Sequence, residues 1–142
     1  METEAQTEIH SAADIVTARQ RGRTLALQLG FNGAEVTLIA AAISEVARNI
    51  VDHAKKGEIV MSSVMSSATS NSGSGRRGIQ IIARDEGPGI PDVAQAMQYG
   101  YSTRRGLGVG LPGAKWLMDE FDIDSRLGRG TTVTMKKWLP YK

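Results

Sequence analysis

Three short boxes, in a fixed order along 142 residues, carry the side chains that could do chemistry. The first is Ser44-Glu45-Val46-Ala47-Arg48-Asn49-Ile50-Val51-Asp52-His53-Ala54. At about 100° per residue, Glu45 and Asn49 fall about 40° apart on one helix face, with Asp52 beside them. A neutral amide oxygen suits a hard cation such as Mg²⁺. A carboxylate one turn earlier is placed to take a proton from an incoming hydroxyl or water. On a helix standing alone, the same three groups would be ordinary solvated side chains.

The second box is Asp85-Glu86-Gly87-Pro88-Gly89-Ile90. A carboxylate can only accept hydrogen bonds, so Asp85 favours an amine, such as that of adenine, over a carbonyl. Gly87 and Gly89 lack a Cβ, which permits unusual backbone angles and close approach to a flat base. Read blandly, the same run is a turn. The third box, Gly106-Leu107-Gly108-Val109-Gly110-Leu111, opens a helix whose free N–H groups and positive dipole end suit phosphates. It has no Gly-Lys-Ser/Thr and does not sit in an N-terminal βαβ unit, so it is neither a Walker motif nor a dinucleotide fingerprint. The alternative is a flexible glycine linker. Just before it, Ser102 and Thr103 supply hydroxyls and Arg104 and Arg105 supply cations. The span from about 92 to 106 could close over a triphosphate as a lid. Each box is weak alone; their order describes a nucleotide pocket.

The elements that must position these boxes are legible in outline. Residues 4–10 read as a short edge strand. Ser11 with Asp14 forms a capping pattern that opens a helix through Ile15, Val16, Leu25, Leu27 and Leu29 to Gly30. Asn32 with Glu35 caps a second helix, the longest, running to about Ala54. On it Val36, Ile39, Ile43, Ala47 and Ile50 lie opposite Glu45 and should pack on a sheet. Strands are expected at about 57–64, 78–84, 121–126 and 131–138, and helices at about 91–98 and 111–120. The Ser/Gly-rich stretch at about 66–77 reads as a flexible hairpin loop rather than a boundary. This order predicts an α+β fold in one domain, 1–142: a two-layer sandwich of a mixed β-sheet with helices on one face. Trp116 and Trp138 are expected to pack in the core or at its edge, and His53 to sit at a helix end favoured by the dipole.

Composition narrows the function classes. Lys and Arg number 17 against 15 Asp and Glu, a net charge of +2, which argues against a nucleic-acid partner. There is no cysteine and there are only two histidines, so disulfides and zinc sites are not expected. No run approaches the ~18 apolar residues of a membrane span. The acidic, polar start Met1-Glu2-Thr3-Glu4 is unlike a signal peptide. The expectation is a cytoplasmic domain with no membrane partner.

The three boxes resemble the N, G1 and G2 boxes of the GHKL ATPases, which share the Bergerat ATP-binding fold. Gly128-Arg129-Gly130-Thr131-Thr132 resembles their closing Gly-x-Gly-Thr element. Within that superfamily the chain is most similar to the small bacterial serine/threonine kinases that regulate sigma factors, of the stressosome switch type. The similarity covers nearly the whole chain and is carried by Ile15-Val16-x-Ala18-Arg19-Gln20, Ala42-Ile43-Ser44-Glu45-x-Ala47-Arg48-Asn49-Ile50 and Gly110-Leu111-Pro112-Gly113-x-Lys115-x-Leu117-Met118-Asp119-Glu120-Phe121.

The resemblance implies a role for each matching position. Glu45 would be the catalytic base and Asn49 the Mg²⁺ ligand. Asp85 would bind adenine, with Gly87 and Gly89 beside it and Thr131 assisting. Ser102, Thr103, Gly106, Gly108, Gly110 and Leu111 would hold phosphates. It further implies ATP and Mg²⁺ as cofactors and STAS-domain proteins (RsbS/RsbR-like) as substrates. A PP2C-type phosphatase (RsbU-like) would be activated when the kinase is released. The rival is a nucleotide-dependent anti-sigma or partner-sequestering module with little turnover; intact Glu45 and Asn49 weigh against it. A histidine-kinase catalytic module is disfavoured, because these residues leave no room for a phosphoacceptor hairpin. Two departures stand out: the Ser/Gly tract is long for a hairpin here, and Arg104-Arg105 replace small residues commoner in such lids. The two arginines could bind a γ-phosphate or stay solvated.

Overall fold

A computed structural model describes residues 4–54, 56–66, 75–89 and 110–140. Its elements are β1 (Glu4–Ile9), α1 (Ala12–Leu29), α2 (Gly33–His53), β2 (Gly57–Met65), β3 (Arg77–Asp85), α3 (Gly110–Leu117), β4 (Glu120–Arg126) and β5 (Gly130–Trp138). The expected helix at 91–98, the lid at 92–106 and most of the Ser/Gly tract lie outside the described residues.

Both long helices begin where their caps require. Asp14 Oδ2 accepts from the backbone N–H of His10 at 2.8 Å and of Ser11 at 3.2 Å, meeting donors that a helix start leaves orphaned. Gly30 ends α1 in the left-handed region, with φ 105°. Asn32 Oδ1 then accepts from Glu35 N at 2.8 Å and starts α2. The N–H of His10 foremost, and that of Ser11, hold the Asp14 carboxyl below its ordinary 3.8. A depressed carboxyl stabilises the fold fully above its ordinary value and loses that contribution as pH falls through the folded one. Asp14→Ala should therefore lose less of its stability on acidification through this range than the wild type. Parallel acid-unfolding curves for the two proteins would contradict this.

The sheet runs β1-β2-β3-β5-β4, and every pairing among the described strands is antiparallel. The expected mixed sheet is thus corrected to an antiparallel one. The reason is connectivity. α1 goes out and α2 comes back between β1 and β2, so β2 returns antiparallel to β1. β2–β3 and β4–β5 are sequential neighbours that pair directly. The α+β class and the single helical layer stand. Ile9, Ile59, Met61, Ile79, Ile81, Val133 and Met135 of the sheet meet Val36, Ile39, Ile43, Ala47 and Ile50 of α2 in one core. Fully burying such side chains contributes about 1.5–3 kcal/mol each. On the opposite face Val60, Ile82 and Thr134 are only half-buried. Among the described residues no helix is long and apolar enough to cross a membrane.

The tryptophans divide. Trp138 caps the end of β5, its N–H accepted by Asp119 at 2.8 Å and its Nε1–H by Glu120 at 2.7 Å. Trp116, expected to pack, is 80% exposed. The buried stripe of α3 is already filled by Leu111, Pro112, Gly113 and Ala114, which leaves Trp116 on the outer side.

Candidate functional site

The C-terminal half of α2 is where the boxes meet. Glu45 and Asn49 lie half-buried on its polar face, while Val46, Ala47 and Ile50 are buried in the core. The box after β3 folds back onto the last turns of α2. A Cβ on Gly87 would come within 2.6 Å of the Ala54 Cβ. From the other side comes the β4–β5 turn, whose Gly128 N–H donates to Pro88 O at 2.9 Å. Gly89 has φ 82°, and a Cβ there would meet Arg126 O at 2.5 Å. Around the missing Cβ atoms stand Ala54 and Asp85 for Gly87, and Arg126 and Leu127 for Gly89.

Asp85 is the hub of this turn. It ends β3 at 9% exposure. Its Oδ1 accepts from Gly87 N at 2.9 Å and from Thr131 N at 3.2 Å. Thr131 is buried as well, and its Oγ1 shares a 2.9 Å hydrogen bond with Ser125 Oγ. Both bonds fall on one oxygen; among the described residues none donates to Oδ2, which could accept from a bound group.

The two oxygens are thus in different positions, one engaged by the fold and one not, and this makes a prediction. Asp85→Asn can keep Oδ1 on Gly87 and Thr131 while placing an NH₂ where Oδ2 was. The fold should survive, and a donor would face a donor if adenine binds here. ATP affinity should fall about 5- to 150-fold, the range for one mispaired buried polar contact. Calorimetry showing unchanged affinity in the folded variant would rule out Asp85 as the adenine acceptor.

The second cluster joins α2 to α3. Glu45 Oε1 accepts from Gly110 N, at the start of α3, at 2.9 Å. Glu45 Oε2 and an Arg48 Nη lie 3.0 Å apart. An anion at a helix N-terminus is favourable, because free N–H groups and the dipole point at it. Gly110 itself is left-handed, with φ 69°. Leu111 is 5% exposed within the core, so any contact it makes with a ligand falls to its backbone. Ser102, Thr103, Gly106 and Gly108 lie outside the described residues, as do Arg104 and Arg105.

The geometry therefore brings Asp85, Gly87, Gly89 and Thr131 together at one end of α2. It sets Glu45 against Gly110, with Asn49 between the two clusters along the helix. Three residues of this region were not singled out from sequence: Ser125, Arg48 and Gly130. A Cβ on Gly130 would lie 2.0 Å from Asp85 O, and its φ is 111°. The Gly-x-Gly-Thr spacing marked the element but not this contact.

Comparison with known proteins gives a consistent picture. Residues 10–137 match the family described as histidine kinase-like ATPase domain. The serine/threonine-protein kinase RsbT of Bacillus subtilis is 49% identical over 126 residues, 89% of this chain and 90% of that protein. The anti-sigma F factor of Caldanaerobacter subterraneus subsp. tengcongensis is 33% identical over 125 residues, 86% of this chain and 83% of that protein. A crystal structure of the RsbU and RsbW domains of a Mycobacterium tuberculosis protein aligns with TM-score 0.58 at 22% identity. It covers 100% of this chain and 34% of that one, a likeness of fold.

Proposed function

We infer the function from one premise: this chain belongs to the histidine kinase-like ATPase family, and within it to the RsbT-like kinases. It is a kinase of an ATP-using family. We propose that it transfers the γ-phosphate of ATP to Ser or Thr of a STAS-domain partner in the cytoplasm. Released from that partner, it would activate a PP2C-type phosphatase. The observation that supports this best is the paired arrangement along α2. A buried carboxylate with one oxygen to spare stands at one end, and a carboxylate seated at a helix N-terminus stands at the other.

The residues present fit Mg·ATP. Among the described residues no group of three or more His, Asp or Glu could hold a metal by itself. Asn49 offers a single neutral oxygen, which suits Mg²⁺ held mainly by phosphates and water. Bound there, Mg²⁺ would neutralise charge developing on the transferred phosphoryl group. Asp85 would orient the base, and Asn49 would anchor the cation. Glu45 would take the proton of the acceptor hydroxyl. Ser102, Thr103, Gly106 and Gly108 would hold the phosphates, the N–H of Gly110 being taken by Glu45. Most of the rate would come from positioning and charge stabilisation.

The anti-sigma reading has its own support in the 33% identity to an anti-sigma F factor. One experiment separates the two. The protein is incubated with γ-labelled ATP, Mg²⁺ and STAS proteins of the same genome, alongside a pull-down against its sigma factors. Label on Ser or Thr of a STAS protein is the expected result. Stable sigma-factor capture with no label transferred would replace the kinase reading with the sequestering one.

A further inference from the structure

We propose that Arg48 is the positioning residue for Glu45, holding its carboxylate against the first amide of α3. The proposal rests on Glu45 being the base. α3 has no acidic residue in its own first turn. Glu45 supplies one from 65 positions away, through the 2.9 Å bond to Gly110 N. That contact fixes one oxygen and leaves the carboxylate free to turn about it. Arg48, on the next turn of α2, engages the other oxygen at 3.0 Å. Two contacts on two oxygens set the plane of the group.

Burial makes this more than a solvated surface pair. The side chains of Arg48 and Glu45 are 29% and 13% exposed. Screening by water is correspondingly reduced, and an arginine fork has little freedom left to lose. Arg48 acts through Glu45 and needs no contact with substrate. The chain also ties two parts of the site together: α2, which carries Glu45 and Asn49, and α3, which the glycine run opens. A base must hold its lone pairs on the line of the incoming hydroxyl, and small misplacements are costly to rate.

The test has one readout without nucleotide and one with it. Amide hydrogen exchange at Gly110 is followed by NMR in the free wild type and in Arg48→Ala, Arg48→Lys and Glu45→Ala. Losing a charged acceptor should speed exchange at Gly110 about 5- to 150-fold in Glu45→Ala. Loosening it should speed exchange about two- to tenfold in Arg48→Ala, with Arg48→Lys nearer the wild type. In phosphotransfer, Arg48→Ala should lower kcat about tenfold with the KM for ATP within about twofold. Added to Glu45→Ala, it should lower kcat no further. Gly110 exchange at the wild-type rate in a folded Arg48→Ala overturns the proposal. So does an equal loss of kcat with and without Glu45. If Arg48→Ala does not fold, Arg48→Gln carries the same comparison. If Glu45→Ala transfers phosphate at the wild-type rate, it is the base assignment that falls, and Gly110 exchange still decides what Arg48 holds.

Discussion

Glu45→Gln should bind Mg·ATP as the wild type does and transfer phosphate about 10²- to 10⁴-fold more slowly, the usual contribution of a general base. Gln is the sharper substitution because Glu45 has observed contacts as well as the proposed role of base. Its Oε1 accepts from Gly110 N, and an amide oxygen can continue to do so. What Gln cannot do is take a proton or accept from Arg48, which would face its NH₂. Glu45→Ala removes contacts and base together, and the lost anion at a helix N-terminus adds about 0.3–1 kcal/mol of local destabilisation. Asn49→Ala should behave differently. If Asn49 holds Mg²⁺, its loss weakens Mg·ATP binding as well as turnover. Titration calorimetry and single-turnover transfer to a STAS partner separate a chemistry defect from a binding defect. Wild-type transfer by Glu45→Gln would remove Glu45 from the chemistry.

Gly130→Ala should cost about 2–5 kcal/mol of stability and, in whatever remains folded, weaken ATP binding. The first cause is backbone: φ is 111°, a region that L side chains rarely adopt. The second is contact. The new Cβ would stand 2.0 Å from Asp85 O and 2.9 Å from Glu86 Cα, and neither is the end of a flexible side chain. Relief would move the end of β3, which carries Asp85, the proposed adenine acceptor. Gly128→Ala is the internal control. It also has a positive φ, 77°, but open space around the missing Cβ, so it carries the conformational cost alone. Thermal melts and ATP titrations on both variants test this. Equal melting temperatures would show that the close approach to Asp85 does not matter.

Signals that are local in sequence carried over well. The caps at Ser11–Asp14 and Asn32–Glu35 and the apolar stripe of α2 depend only on neighbours within a turn or two. Each lies where its spacing placed it. The sheet failed because it depends on partners far along the chain. Strand direction could not be read without knowing that β5 inserts between β3 and β4. Trp116 is large and apolar, yet the face it would bury was already occupied by smaller neighbours. Within the site, Asp85, Gly87 and Gly89 were legible as a box, and Thr131 came from the closing glycine element. That a single Asp85 oxygen receives the N–H groups of both Gly87 and Thr131 was not, because Thr131 is 46 positions away. Arg48 stood in the first box with no role of its own. Its meaning depends on Gly110 holding the other oxygen of Glu45.

The most direct measurement compares Mg·ATP with Mg·GTP by calorimetry on the intact chain. In the proposed reading, the oxygen that Asp85 turns to the base can only accept. Adenine presents an amino group to it; guanine presents a carbonyl at the corresponding position, acceptor against acceptor. The account predicts that ATP binds at least about tenfold more tightly than GTP, the penalty for one opposed buried polar pair. It predicts that Asp85→Asn loses most of that preference. Equal affinities for ATP and GTP in the wild type, or a preference that survives Asp85→Asn, would contradict the adenine site on which this reading of the chain is built.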